Sequence, residues 1–162
     1  MLIHEDFLRV VIENLRPEGS DNYNSIRNYK YFASKLSAAV LLGLPISLAD
    51  AMKELNNIRN KYAHKIEYEI TDEEVDKLAE TIKTIKLEEI NHGGYIHQII
   101  EPILQDGIYA VALIKNLPTS LEANRRRICK LVASAHCMSL LGAFWLINTL
   151  HVKDKLKLSR SE

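Results

Sequence analysis

The sequence SIRNYKYFASKLSAAVLLGLPISLADAMKELNNIRNKYAHK, residues 25–65, carries the clearest fold signal in the chain. Apolar residues recur at helical spacing from about residue 25 to residue 42, and Gly43-Leu44-Pro45 then breaks the pattern. Ser47 is predicted to cap a second helix that extends to about Lys65. The buried stripe of this second helix is predicted to contain Leu48, Met52, Leu55, Ile58 and Tyr62. Two helices with a sharp break between them indicate an all-α fold.

Helical periodicity also dominates the sequence on both sides of this unit. A first helix is predicted from about Ile3 to Leu15. A short extended segment at residues 66–70 precedes the capping box Thr71-Asp72-Glu73-Glu74, which opens a helix that extends to about Ile90. A second capping box, Thr119 to Glu122, precedes a last helix that ends near Leu150. Residues 95–116 are compatible either with one helix or with two.

The expected architecture is therefore a single-domain helical bundle of six or seven helices over residues 1–152, followed by a frayed basic tail at residues 153–162. The length of 162 residues is ordinary for one domain. Hydrophobic residues make up 47% of the chain and charged residues 26%, which is typical of a soluble globular protein and excludes a largely disordered chain.

The charges of the chain are balanced, with 21 basic and 21 acidic side chains. This balance excludes a histone-like polycation and indiscriminate binding to polyanions. The sum conceals an asymmetry, because residues 95–162 carry nine basic and five acidic side chains. A short, local phosphate site is compatible with such a composition.

Cysteine usage and the first residues favour a cytoplasmic protein. Cys129 and Cys137 are eight residues apart on one predicted helix, too distant to bridge each other, which favours a reducing compartment. Met1 to Asp6 carries acids where a signal peptide has basic residues. Leu131 to Leu150 lacks charged residues and is long enough to span a membrane. Its polar residues and the basic residues that flank both ends favour a buried core or dimer-interface helix instead, so no membrane partner is expected.

Polar residues near the end of the 25–65 unit form the main candidate site. Asn56, Asn60 and His64 are spaced by four residues and share one helix face, where Asn60 is placed to orient the imidazole of His64. Arg59 and His64 are five residues apart, about 140° around the helix and about 7.5 Å along it. One chain does not bring this pair together easily, whereas a two-fold dimer would bring two arginines and two histidines into one cleft.

Such a cleft suits the chemistry of an RNA phosphodiester. A guanidinium binds phosphate through two parallel hydrogen bonds, and a neutral imidazole can take a proton from a 2′-hydroxyl. The reaction would need neither a metal nor another cofactor.

The motif Arg59-Asn60-Lys61-Tyr62-Ala63-His64 resembles the Arg-x-x-x-x-His signature of the HEPN superfamily of small helical domains. The two helices around Gly43 and the capping box at Thr71 are similar to those of the mannitol operon repressor family within that superfamily, and the resemblance covers roughly residues 25–90. It implies a HEPN-like core and a homodimer. It also implies a metal-independent endoribonuclease of a toxin or defence type, in which Arg59, Asn60 and His64 are the catalytic residues.

The same resemblance leaves a second function open. The mannitol-repressor branch is regarded as regulatory, and a regulator of that type would use this helix face for dimerisation or for a protein partner. One toxin branch carries a Tyr two residues after the His. Here that position is Ile66, so the motif of this chain departs from that of the toxin branch. A purely structural role is a further alternative, in which Arg59 and His64 are solvated or ion-paired at a helix end.

Basic residues at the start of the last helix form a second candidate surface. Four cations lie where the helix dipole disfavours positive charge, which indicates a partner of opposite charge. The residues predicted to contact nucleic acid are Lys61, Arg125, Arg126, Arg127 and Lys130. The alternative is a solvated face balanced by Glu122.

The remaining histidines do not predict a metal site. His92, His97 and Glu101 include a pair at i,i+4 spacing, but no further ligand lies at a recognisable spacing. His136 falls within the apolar last helix, where we expect a hydrogen-bonded histidine of the core.

Overall fold

The computed structural model describes residues 2–17, 30–64, 67–91 and 122–156 of the chain. These residues form six helices: α1 (Leu2–Leu15), α2 (Phe32–Leu41), α3 (Ile46–His64), α4 (Asp72–Lys83), α5 (Leu87–Ile90) and α6 (Ala123–Val152). They contain no β-strand, so the predicted all-α helical bundle is confirmed. The predicted helical region at 95–116 and the end of the predicted tail, residues 157–162, lie outside the described residues.

The longest helix, α6, lies at the centre of the described bundle. It packs against α1, α3, α4 and α5, while α2 contacts α1 and α3, and α3 contacts α4. The largest fully buried side chains come from five of the helices and from the turn before α3, and include Leu8, Leu44, Leu48, Met52, Leu78, Ile82, Ile90, Met138, Leu141 and Trp145. Burying one side chain of this kind contributes about 1.5–3 kcal/mol, so packing between helices is the main source of stability.

Helices α1 and α6 approach closely where Gly142 faces the ring of Phe7. A Cβ atom at position 142 would lie 3.0 Å from Cζ of Phe7, closer than ordinary van der Waals contact. One turn away along α6, the hydroxyl of Ser139 lies 3.4 Å from Nε2 of His4. His4 is buried, and burial lowers the pKa of its imidazole. The absence of a side chain at Gly142 therefore permits the close packing of α1 on α6.

Two predicted helix-boundary signals, a capping box and a glycine turn, are confirmed. The hydroxyl of Thr71 accepts the backbone N–H of Glu74 at 3.2 Å, and the Glu74 carboxylate accepts the backbone N–H of Thr71 at 3.1 Å, which is the capping box at the start of α4. Gly43 has a φ of 108°, in the left-handed region that glycine adopts without a steric penalty. The chain reverses there between α2 and α3.

The predicted starts of α2 and α3 are wrong. The carbonyl of Pro45 accepts the backbone N–H of Ala49 at 3.0 Å, so α3 begins at Ile46 and Ser47 lies in its first turn instead of capping it. The predicted helix at residues 25–42 is not continuous, because Tyr31 is the N-cap of α2 and has extended backbone angles (φ −103°, ψ 148°), and residues 25–29 lie outside the described residues.

The predicted single helix from residue 71 to Ile90 is divided in two. α4 ends at Lys83, and three non-helical residues precede α5. Ile85 lies between the two helices and Ile90 ends the second, and both are buried. Residues 68–70, before α4, are non-helical as expected.

The boundaries of α6 differ slightly from the prediction. Its N-cap is Glu122, without a side-chain capping bond, whereas the predicted capping box places Thr119 in that role. The helix ends at Val152, two residues beyond the expected end. His136 is exposed on α6, so the expected core histidine is wrong: it points away from the helices against which α6 packs.

By length and composition α6 is able to cross a membrane, and 44% of its most apolar window is buried within the structure. The thiol of Cys137 belongs to this buried face, and burial raises its pKa to about 11. Cys129 is exposed, and both thiols are free.

Candidate functional site

Arg59 projects from α3 towards α1. Its side chain is 45% exposed, and its guanidinium nitrogen Nη1 lies 3.8 Å from Oε1 of Glu5. The other carboxylate oxygen of Glu5 lies 3.6 Å from Nζ of Lys35 on α2. Three helices therefore meet at one carboxylate. Ion pairs of this length that are open to solvent contribute about 0–1 kcal/mol, so Arg59 is weakly held.

Arg59 also borders an open groove between α3, the segment before α4 and the start of α6. The groove has a volume of about 410 Å³, and its lining includes Tyr62, Tyr68, Asn124 and Ile128. Tyr62 is 66% exposed, so its predicted place in the buried stripe of α3 is wrong. It lies at the end of α3, beyond the part of the helix that its neighbours cover. A guanidinium and exposed aromatic surface therefore border the same groove.

Asn60 faces a different groove from Arg59. It lines a cleft of about 680 Å³ between α2 and α3, together with Asn56 and Asn57. His64 is exposed as the last residue of α3. Within the described residues no hydrogen bond joins Asn60 to His64, so a single chain does not form the predicted contact that would orient the imidazole.

Lys61 is bound within the fold. Its ammonium lies 2.6 Å from Oε1 of Glu74, and the other carboxylate oxygen accepts hydrogen bonds from Tyr68 and from the backbone N–H of Thr71. Burial alone would raise the pKa of Glu74, but these hydrogen bonds lower it to about 2. Burial and the bond to Glu74 raise the pKa of Tyr68 to about 12, and Glu74 also raises the pKa of Lys61. Lys61 and Glu74 therefore clamp α3 to α4.

The basic start of α6 is paired in the same way with Asp72 and Asp76, which lie one turn apart on α4. Arg127 Nη2 lies 3.1 Å from Oδ2 of Asp72, and Lys130 Nζ lies 2.7 Å from Oδ1 of Asp76. The hydrogen bond from Arg127 lowers the pKa of Asp72, and Asp72 in turn raises the pKa of Arg127.

The other two cations of that predicted surface are less engaged. Arg125 is 75% exposed, and its Nε lies 3.7 Å from a carboxylate oxygen of Glu122. Arg126 is half-buried. The four cations at the start of α6 thus divide into two that dock α6 on α4 and two that remain accessible to solvent.

Lys35 and Glu5 are the two residues near Arg59 that the sequence does not single out. Each lies on a different helix from Arg59, and Glu5 is 54 positions away from it in the chain. Helical periodicity relates only residues that are close in the sequence, so it does not predict a contact between residues this far apart. Their placement comes from the packing of α1 on α2.

The described residues contain no group of three or more histidine, cysteine, aspartate or glutamate side chains able to hold a metal ion. His92, His97 and Glu101 lie outside the described residues. Comparisons of the chain with protein-family models, with curated proteins and with solved structures give no match.

Proposed function

We propose that the protein is a HEPN-type helical domain that acts on RNA as a homodimer, with Arg59 binding phosphate and His64 transferring protons. The observation that carries the proposal is the availability of both side chains at the end of α3. Arg59 is half-exposed and weakly paired, and His64 is exposed with no bonding partner among the described residues. By contrast, the ammonium of the neighbouring Lys61 lies 2.6 Å from Oε1 of Glu74, although its side chain is 48% exposed.

The chemistry assigned to these residues is metal-independent cleavage of the RNA backbone. The imidazole of His64 takes the proton from a 2′-hydroxyl, whose oxygen attacks the adjacent phosphorus and displaces the 5′-oxygen, leaving a 2′,3′-cyclic phosphate. The leaving oxygen takes a proton from the second His64 of the dimer, which acts in its protonated, imidazolium form and becomes neutral. Arg59 stabilises the negative charge that develops on the phosphate oxygens.

A two-fold dimer would bring together the Arg59 and His64 side chains that a single chain keeps apart. The spacing of Arg59 and His64 along α3 keeps the two side chains apart, whereas an isologous interface would present each residue twice. The exposed side chains of Tyr62 on α3 and Ile128 on α6 line the same groove as Arg59, and Val132 is exposed one turn further along α6. Apolar surface of this kind supports an interface with a second copy of the chain.

Cleavage of labelled single-stranded RNA and transfer RNA, measured in magnesium and in chelator, tests the proposal. We expect cleavage in both conditions, a loss of about 100-fold or more in His64→Ala, and a comparable loss in Arg59→Ala. Lys53→Ala, which removes an exposed lysine of the same helix, is the matched control and should leave the rate unchanged. Intact RNA in both conditions, together with unchanged RNA binding by His64→Ala, would contradict the proposal.

A second candidate function is a non-catalytic regulator that acts through a protein partner, of the mannitol-repressor type. The pairing of Arg127 and Lys130 with α4 favours it, because these cations are less available to a nucleic acid. This alternative predicts that Tyr62→Ser or Ile128→Ser changes the oligomeric state measured by light scattering, while RNA stays intact. Unchanged assembly in both variants would count against it.

A further inference from the structure

We propose that Lys35 and Arg59 form a two-cation phosphate site, and that the carboxylate of Glu5 occupies this site in the free protein. The inference rests on the proposed function and adds two residues to it: Lys35 as a second phosphate-binding group and Glu5 as an internal competitor of the RNA. Glu5 is therefore autoinhibitory.

The geometry around Glu5 is that of an anion site. One carboxylate oxygen lies 3.8 Å from Nη1 of Arg59, and the other lies 3.6 Å from Nζ of Lys35. A phosphodiester likewise carries one negative charge over two terminal oxygens, so it can take the same pair of cations. Lys35 is the less solvated cation, with its side chain 19% exposed, which strengthens its interaction with an anion.

The neighbourhood of the two cations suits a single-stranded nucleic acid. Arg59 borders the groove that contains the exposed ring of Tyr62, and an exposed aromatic ring offers a surface on which a nucleobase stacks. On the other side, Asn56 and Phe32 line a small cleft next to Glu5 and Arg59. A phosphate on the cations would thus lie between an amide group and a stacking surface.

A phosphate can displace Glu5 because both ion pairs of this carboxylate are long, at 3.8 and 3.6 Å. Pairs of this kind contribute little to stability, so a phosphate competes with the carboxylate without unfolding α1. While Glu5 remains charged beside the cations, it repels the incoming phosphate. Its removal therefore increases affinity for RNA.

Fluorescence anisotropy with a labelled single-stranded RNA tests the competition. We expect Glu5→Gln to bind about two- to five-fold more tightly than the wild type, because the carboxylate that competes with the phosphate is removed. Lys35→Ala should bind more weakly and lower the salt dependence by about one counterion. Glu13→Gln is the matched control on α1, since Glu13 pairs with Arg9 instead, and it should bind as the wild type does.

Thermal unfolding in pyrophosphate, against chloride of equal ionic strength, tests the anion site independently of RNA. We expect pyrophosphate to stabilise Glu5→Gln more than the wild type, and to lose this effect when Lys35→Ala is added. If that result is obtained while no variant binds RNA, the anion site stands and the proposed function fails. If RNA binds equally to wild type and Glu5→Gln, or pyrophosphate stabilises neither, the inference is overturned.

Discussion

The two sides of α3 near its C-terminal end differ in how firmly their cations are held. Towards α4, Lys61 lies 2.6 Å from its carboxylate partner. Towards α1, Arg59 and Lys35 share the carboxylate of Glu5 at 3.8 and 3.6 Å. Both sides carry the same kinds of side chain, so charge alone does not identify a binding residue. The difference lies in the bonds that each cation has already made within the fold.

The firmness of the α4 side comes from the position of its acids. Glu74 lies in the first turn of α4, where the helix dipole favours negative charge, and the capping box fixes its carboxylate. Four groups, from Lys61, Tyr68 and Thr71, then bond to the two oxygens of this carboxylate. Glu5 also lies in the first turn of its helix, α1. Its carboxylate, however, forms long ion pairs with its two described partners, Lys35 and Arg59.

The largest expected change follows from Glu74→Ala. The substitution removes the ammonium contact of Lys61, the bond from Tyr68 and the reciprocal bond to Thr71, so we expect the free energy of unfolding to fall by about 2–3 kcal/mol. Urea unfolding, followed by circular dichroism, measures this free energy of unfolding. Glu73→Ala, an exposed neighbour in the same helical turn, should change it by less than about 0.5 kcal/mol. Equal effects of the two substitutions would remove the distinction between the two sides of α3.

The same carboxylate predicts how stability depends on pH. The pKa of Glu74 is about 2 in the folded protein, below its ordinary value of 4.5. The unfolded chain therefore binds the proton more readily, and the stabilising contribution is complete above about pH 4.5 and is lost as the pH falls towards 2. Urea unfolding between neutral pH and about pH 3 should show a steeper loss for the wild type than for Glu74→Gln. Parallel curves would contradict this assignment.

The smallest expected effects are the coupling energies of two ion pairs, which can be compared directly. A double-mutant cycle for Lys130 and Asp76, whose atoms lie 2.7 Å apart, should give a coupling energy near the upper end of the usual range, about 1 kcal/mol. The corresponding cycle for Arg59 and Glu5 should give about 0.2 kcal/mol. Both are measured from urea unfolding at low salt. A coupling for Arg59 as large as that for Lys130 would mean that Arg59 is also a structural residue.

Much of the fold follows from local patterns in the sequence. The capping box at Thr71 and the glycine at position 43 act on the residues next to them, so their effects are predictable from the sequence alone. Tyr62 fits the apolar spacing of α3 but is exposed, because periodicity identifies a face and not how far the neighbouring helices cover it. The break before Leu87 is likewise not marked in the sequence by a glycine or a proline.

The candidate site is predictable only in part. The motif spacing singles out Arg59 and His64 without reference to the rest of the chain. The pairing of Lys130 with Asp76 joins residues 54 positions apart. Such contacts depend on how the helices pack, so the sequence treats Lys130 and Arg59 as equivalent cations where the structure distinguishes them.

The close contact between Gly142 and Phe7 links the interior of the bundle to this surface. A methyl group at position 142 would force the Phe7 ring to move by a few tenths of an ångström, and any part of this movement that the side chain cannot absorb passes to the backbone of α1. Glu5 lies two residues before Phe7 on the same rigid helix, so its carboxylate would shift relative to Arg59. The distance between Glu5 and Arg59 at the surface therefore depends on the absence of a side chain at position 142 in the core. Gly142→Ala would change this ion pair without replacing either charged residue.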